Sequence, residues 1–231
     1  MADSRLASRI AAGRTDIVLD LLGSGGSVST EVDGASLLQW CAYYGDVSAV
    51  RLLLSQGESL QRLGPDLGLD AAAFHGHWQL CQFLLESSAP INGTSSGTRE
   101  TPLHSALCST DRVRHDQVVR VLLAAGADPN AATIPGVETG AFMRDCRTKG
   151  ETPFHRAAAF GSVGTIQLLL DAGARREMRD AYGDTPLSWA SWYRRPADVL
   201  RLLCHGPFSI HPEYRDLREN LAGRPLPGSD S

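Results

Sequence analysis

Apolar residues recur along this chain in short runs that fit one face of a helix. In the run 165–170, Ile166, Leu169 and Leu170 are spaced i, i+3 and i+4. Each run ends in a Leu-Leu pair, and a small residue follows three positions later, as suits the left-handed residue that commonly ends a helix. The pairs begin at Leu21, Leu53, Leu84, Leu122, Leu169 and Leu202, and the small residues are Gly25, Gly57, Ser88, Gly126, Gly173 and Gly206.

The spacing of these small residues indicates an internal repeat. Successive members lie 32, 31, 38, 47 and 33 positions apart. A second glycine lies about twelve residues upstream in four copies, at Gly13, Gly45, Gly76 and Gly161. The pattern therefore predicts repeats of two short antiparallel helices each, stacked into a solenoid.

A second motif marks where the first helix of a repeat begins. It reads Thr-Pro-Leu-His at 101–104, Thr-Pro-Phe-His at 152–155 and Thr-Pro-Leu-Ser at 185–188. Threonine supplies an N-cap oxygen, and proline fits the first helical turn because its missing N–H is not needed there. The corresponding positions 36–39 and 67–70 carry degenerate versions.

Together these motifs resemble the ankyrin-repeat family, whose unit of about 33 residues carries Thr-Pro-Leu-His-x-Ala. The resemblance covers roughly 4–206 and implies an all-α solenoid of about six helix–turn–helix repeats with projecting loops. It implies a structural role for His104 and His155. We expect a repeat domain over 1–211, with repeats at about 4–33, 34–65, 66–97, 98–130, 149–182 and 183–206.

Extra length between the fourth and fifth repeats forms an insertion at 131–148, in which 132–143 is apolar and contains glycine, unusual for an exposed loop. Long loops in compact domains are usually functional or disordered. The insertion is either neutral, lying across neighbouring loops, or a binding finger. We expect removal of 132–146 to leave the fold intact, because loop closure entropy changes slowly with length. The contacts of a binding finger would be Ile134, Val137, Phe142 and Met143.

The remaining sequence, 212–231, is expected to form a short capping helix followed by a flexible tail. Tyr214, Leu217 and Leu221 would face the last repeat. Residues 224–231 are rich in Pro, Gly and Ser, a composition typical of a frayed terminus.

Composition narrows the classes of function. The chain has 26 acidic and 22 basic residues, for a net charge of -4, so it lacks the basic field that nucleic acids require. We expect no leader sequence, because the first ten residues are polar and lack a continuous apolar core. We expect no membrane-spanning segment, because no apolar run approaches about 20 residues. Five scattered cysteines without metal-ligand spacing indicate reduced thiols and a cytoplasmic protein. We expect no cofactor and no metal, and a monomer when free of its partner.

Two sets of residues could carry chemistry. His75 and His77 flank a glycine without an acidic or cysteine partner at ligand spacing, so a metal site is not expected. Cys146 lies between Asp145 and Arg147, and a nearby cation can depress a thiol pKa. No motif supplies the oriented base that a nucleophile needs, so the chain is not expected to be an enzyme.

The resemblance also implies a binding surface. In ankyrin stacks, the two positions before the mid-repeat glycine point into a concave groove, as does the position after the entry motif. Aromatic residues and arginine are enriched at protein interfaces. Rings in these slots could instead pack as core between the helices. The groove candidates are Trp40, Tyr43, Tyr44, Phe74, His75, Arg156, Phe160, Trp189, Trp192 and Tyr193.

These features favour a scaffold that binds another protein through the groove and the finger. One alternative is a regulatory or inhibitory subunit of an enzyme. A second is a thiol-dependent enzyme that uses the 131–148 insertion, and a third is a host-directed effector. The sequence does not identify the partner, since a fold does not fix a function.

Overall fold

The computed structural model describes residues 2–94, 97–108, 112–139, 147–206 and 210, without the side chains of 2–5 and 112–114. The described residues form twelve α-helices in six consecutive pairs, which confirms the predicted all-α repeat solenoid. The pairs are α1 (Ala2–Ala11) with α2 (Ile17–Gly23), α3 (Leu37–Tyr43) with α4 (Val47–Ser55), α5 (Leu69–Phe74) with α6 (Trp78–Glu86), α7 (Pro102–Ala106) with α8 (Arg112–Ala124), α9 (Pro153–Phe160) with α10 (Val163–Asp171), and α11 (Pro186–Trp192) with α12 (Ala197–Leu203).

Two smaller elements lie in the connections between pairs. Strands β1 (Glu31–Val32) and β2 (Ala35–Ser36) form an antiparallel hairpin in which Glu31 pairs with Ser36. A 3-10 helix spans Leu60–Leu63. We call the first helix of each pair the inner helix and the second the outer helix.

The inner helices begin where the threonine motif predicts. The Thr152 backbone N–H donates to Nδ1 of His155 at 3.1 Å, and Nε2 of His155 contacts the Asp184 carbonyl in the next repeat at 3.1 Å. His104 makes the equivalent contacts and, like His155, is fully buried. Burial lowers the pKa of both imidazoles, that of His104 to about 3, so both rings stay neutral. The expected structural role of the two histidines is confirmed.

The outer helices end in left-handed residues, as the spacing of the small residues predicts. Gly173 has φ +88°, in the region that glycine enters without steric cost. Ser88, the exception in the sequence pattern, adopts the same conformation with φ +69°. The outer helix of the third repeat therefore ends in a left-handed residue although serine stands in the place of glycine.

Polar side chains join successive repeats at the ends of the inner helices. The last carbonyls of a helix have no partner within it, so other groups must satisfy them. Side chains just before or at the start of an outer helix contact carbonyls on the inner helix of the preceding repeat and provide the missing donors. The contacts are His77 Nε2 with the Tyr43 carbonyl at 2.8 Å, His115 Nε2 with the Phe74 carbonyl at 2.9 Å, and Arg195 Nη1 with the Ala159 carbonyl at 3.0 Å.

One continuous apolar core runs through all six pairs. It includes Ile10 and Val18 in the first pair and Val199 and Leu203 in the last. Leu169, from the Leu-Leu pattern, is fully buried in α10. Because each pair buries its apolar face against its neighbours, the stack is stabilised mainly by nearest-neighbour interfaces.

Candidate protein-binding surface

Aromatic side chains gather at the ends of α3 and α5, where they form what we call the N-terminal aromatic cluster: Trp40, Tyr43, Tyr44, Phe74 and His75. The ring centroids of Tyr43 and His75 are 4.9 Å apart, and those of Phe74 and His75 are 5.2 Å apart. Tyr43 is 53% exposed and Phe74 38%. Burial, with help from neighbouring histidines, lowers the pKa of His75, so the cluster presents a neutral, ring-rich surface.

Two members of this cluster also support the fold. The Trp40 indole donates to the Val32 carbonyl at 2.9 Å, and the Tyr44 hydroxyl donates to the Ala11 carbonyl at 2.7 Å. Both side chains are half-buried. Tyr43 and Phe74 therefore supply most of the accessible aromatic surface here.

A second group of rings, the C-terminal aromatic cluster, lies on α9 and α11 and consists of Phe160, Trp189, Trp192 and Tyr193. Phe160 and Tyr193 meet edge to face at 4.8 Å, and Trp189 stacks with Tyr193 at 6.1 Å. Trp192 is 44% exposed and Tyr193 47%, whereas Phe160 is half-buried. The structure thus gathers the predicted groove rings into two clusters.

Trp189 is placed differently from the sequence prediction. Its side chain is buried, and its indole N–H donates to Asp180 Oδ2 at 2.9 Å. The exposed Lys149 ammonium lies 5.5 Å from the centroid of the Trp189 ring. The expected direct contact with a partner is therefore corrected: Trp189 supports the exposed rings beside it.

The prediction that Arg156 contacts a partner is wrong. The residue is fully buried, and its Nη2 lies 2.5 Å from Glu100 and 2.6 Å from Glu151. Nη1 donates to the His104 carbonyl at 3.2 Å and to Cys108 Sγ at 3.0 Å. The guanidinium lies between the fourth and fifth repeats because a buried carboxylate on each side, Glu100 and Glu151, requires a positive partner.

The insertion closes over this ion-pair network with buried threonines. Thr133 donates to Glu151 Oε2 at 2.8 Å, and Thr139 donates to both carboxylate oxygens of Glu100 at 2.8 and 2.9 Å. Thr148, also buried, donates to backbone carbonyls of the insertion. Thr133 and Thr139 lie within 132–146, so removal of this segment would take two donors from the buried network. The dispensability of 132–146 for folding stays a prediction.

Two of the candidate contacts in the insertion fall within its described part. Ile134 is 39% exposed and Val137 half-buried, so both remain candidate contacts. Glu138 and Arg147 form an exposed ion pair at 2.8 Å across its base. The candidates Phe142 and Met143, together with Cys146 and the predicted capping helix and tail at 212–231, lie outside the described residues.

The ion-pair network makes stability depend on pH. Burial acts to raise the pKa of Glu151, but the Arg156 guanidinium outweighs it and lowers the pKa from 4.5 to about 2. A carboxyl whose pKa is lower in the folded chain stabilises the fold fully above its unfolded value and loses that contribution as pH falls.

We expect the melting temperature of the wild type to drop as pH falls from about 5 to about 2, in part because Glu151 takes up a proton more readily in the unfolded chain. The Glu151→Gln variant should have a lower melting temperature than the wild type at about pH 5. Its melting temperature should then fall less steeply with pH, since it lacks this titrating group. Thermal melts at matched ionic strength measure both slopes. An equal dependence of melting temperature on pH in the two proteins would contradict the lowered pKa of Glu151.

Three of the described thiols, Cys41, Cys81 and Cys108, differ from a catalytic nucleophile. Burial raises the pKa of Cys41 and Cys81 to about 12 and that of Cys108 to about 11. A nucleophilic cysteine needs the opposite shift. Among the residues that the structure describes, no group of three or more His, Cys, Asp or Glu is arranged to hold a metal ion, and none of the helices is long and apolar enough to cross a membrane.

Comparison with known families agrees with this architecture. Ankyrin-repeat models match residues 33–62, 69–112, 98–134 and 136–216, the last as a set of three copies. The chain belongs to the ankyrin-repeat family. Ankyrin repeats are typical of protein–protein interaction domains and are generally non-enzymatic scaffolds.

Several curated proteins are similar to this chain. Human ankyrin repeat and SOCS box protein 16 is 29% identical over 80% of the chain and 46% of its own length. Cattle ankyrin repeat and SOCS box protein 3 is 28% identical over 70% of the chain and 34% of its own length. The E3 ubiquitin-protein ligase KEG of Arabidopsis thaliana is 30% identical over 46% of the chain and 6% of its own length. The chain thus spans less than half the length of each of these relatives.

Proposed function

We propose that this chain is a protein-binding module that holds its partner through the two aromatic clusters. The observation that carries the proposal is the exposure of Tyr43, Phe74, Trp192 and Tyr193 on the inner helices α3, α5 and α11 and on the turn that follows α11. Exposed aromatic side chains bury a large area at low entropic cost when a partner covers them.

The distribution of these rings favours a protein partner over a small molecule. The exposed rings belong to three different repeats, the second, third and sixth. The buried network around Arg156, together with the insertion, lies between the second and third repeats and the sixth along the stack. A partner that touches both clusters is therefore an extended segment or the edge of a folded protein. Ile134 and Val137 of the insertion are proposed as additional contacts.

The described cysteines support action in a reducing compartment such as the cytoplasm. Cys41, Cys81, Cys108 and Cys204 are free thiols. Free cysteines of this kind persist where disulfides are kept reduced.

Truncation of one exposed ring in each cluster tests the proposal. Tyr43→Ala and Trp192→Ala are each expected to weaken binding by about 2 kcal/mol or more, roughly 30-fold, because hot spots concentrate in Trp and Tyr. Proteins captured by the immobilised wild type would be identified, and the affinity of each variant for the captured protein measured by calorimetry.

Two truncations on outer helices serve as controls. Leu19 in α2 is 55% exposed and Val163 in α10 is 43% exposed. Leu19→Ala and Val163→Ala remove exposed apolar atoms outside both clusters and should leave affinity unchanged. If Tyr43→Ala and Trp192→Ala keep their melting temperatures and bind as tightly as these controls, the aromatic clusters are not the binding site.

A further inference from the structure

Positive charge lies beside the C-terminal aromatic cluster. Lys149 and Arg194 are exposed, and neither belongs to an ion pair within the described part of the chain. Arg194 directly follows Tyr193, at the turn after α11. Two cations therefore border a surface whose main exposed rings are Trp192 and Tyr193.

Lys149 is positioned by the rings themselves. Its ammonium lies 5.5 Å from the centroid of Trp189 and 6.0 Å from that of Tyr182. Cation–π attraction of this kind holds an ammonium near a ring without consuming its hydrogen-bond donors. The three N–H groups of Lys149 remain suited to a carboxylate from outside.

Carboxylates close to the cluster are already engaged. Asp180 accepts from the Trp189 indole at 2.9 Å and from the backbone N–H of Tyr182 at 2.9 Å. Asp184 accepts from the Trp192 indole at 3.2 Å. Glu151, next to Lys149 in space, is paired with Arg156. These three acids are thus committed to indoles and to the buried network.

The regions of the chain that contain the two clusters also differ in charge. Residues 149–206, which contain the C-terminal cluster, have eight basic and six acidic side chains. Residues 1–97, which contain the N-terminal cluster, have five basic and ten acidic side chains. The two clusters therefore stand in electrostatic surroundings of opposite sign, although both are rich in aromatic rings.

We propose that the C-terminal aromatic cluster docks an acidic segment of the partner, in which Asp or Glu flanks an aromatic or aliphatic side chain. The apolar side chain covers Trp192 and Tyr193, and the carboxylates reach Lys149 and Arg194. Complementary charge of this kind accelerates association and rejects basic segments. This inference rests on the proposed protein-binding function and specifies the chemistry of what is bound.

Selection of short random peptides displayed on phage tests the inference directly. Peptides would be selected on the wild-type chain, and those that need the C-terminal cluster identified by loss of binding to Trp192→Ala. We expect these peptides to be enriched in Asp and Glu. Their affinity should fall about tenfold or more on Lys149→Glu/Arg194→Glu and should weaken as salt is added.

The control is a charge reversal of equal size on outer helices. Arg120 in α8 and Arg201 in α12 are exposed, so Arg120→Glu/Arg201→Glu matches the net charge of the test variant. Peptides that need Trp192 but are not acidic, or that bind both double variants equally, would overturn the acidic partner and leave the protein-binding function standing. A failure to obtain any binder that depends on Trp192 or Tyr43 would instead overturn the proposed function, and this inference with it.

Discussion

Replacing Arg156 by methionine is expected to lower the free energy of unfolding by about 3–5 kcal/mol, because it leaves two buried carboxylates without their positive partner. Glu100 and Glu151 are 6% and 1% exposed, so water cannot compensate the lost ion pairs. Urea denaturation followed by circular dichroism measures the change. Adding Glu100→Gln and Glu151→Gln to the variant should restore part of the loss, since the unpaired charges are then removed.

Arg147 offers a matched control for this result. It also forms an ion pair with a glutamate, Glu138, but both side chains are mostly exposed. Exposed pairs contribute at most about 1 kcal/mol, so Arg147→Met should have little effect on stability. A similarly small loss for Arg156→Met would show that the ion-pair network does not hold the fourth and fifth repeats together.

A second large effect is expected from Leu169→Ala, which opens a cavity in α10. The side chain is fully buried, and truncation of such a leucine costs about 2–5 kcal/mol. Because repeats are stabilised by their neighbours, amide hydrogen exchange should also accelerate in the fourth and sixth repeats. The adjacent Leu168 is only half-buried, so Leu168→Ala should cost less. A loss below about 1 kcal/mol for Leu169→Ala would mean that this helix buries a different face.

The repeat architecture could be predicted from the sequence because its signals are local. Thr152 and His155 lie within one helical turn, and the hydrogen bonds between them depend on little outside it. The Leu-Leu pattern and the left-handed residue after each outer helix are likewise separated by only a few positions. Ser88 preserves the left-handed turn even without glycine, so spacing was a better guide here than residue identity.

The buried position of Arg156 could not be predicted from local motifs, because its partners come from distant positions in the sequence. Glu100 precedes it by 56 residues, and Thr139, which fixes Glu100, lies in the insertion. One signal was available: Glu100 and Glu151 occupy the same place in successive motifs, directly before Thr101 and Thr152. Two acids at equivalent inward-facing positions require a buried cation, and Arg156 supplies it.

The division of the aromatic residues into two clusters also depended on the three-dimensional structure. The sequence pattern assigned all the rings to one groove and treated each of them equally as a candidate contact. Hydrogen bonds that commit Trp40, Tyr44 and Trp189 to the fold separate these supporting rings from the exposed ones. Only packing could distinguish the two groups, because both occupy the same positions of the repeat.

The central claim, that the aromatic clusters bind a protein, is tested most directly by the indole N–H signals of the chain's four tryptophans in a nitrogen–proton correlation spectrum. The captured partner would be titrated into the isotopically labelled wild-type chain. Trp40 and Trp192 report on the two clusters, and Trp78, at the start of outer helix α6, is an internal control. Binding through the aromatic clusters should shift the Trp192 signal, the Trp40 signal or both, while that of Trp78 stays in place. Saturable binding that shifts only Trp78, or none of the four signals, would contradict the central claim.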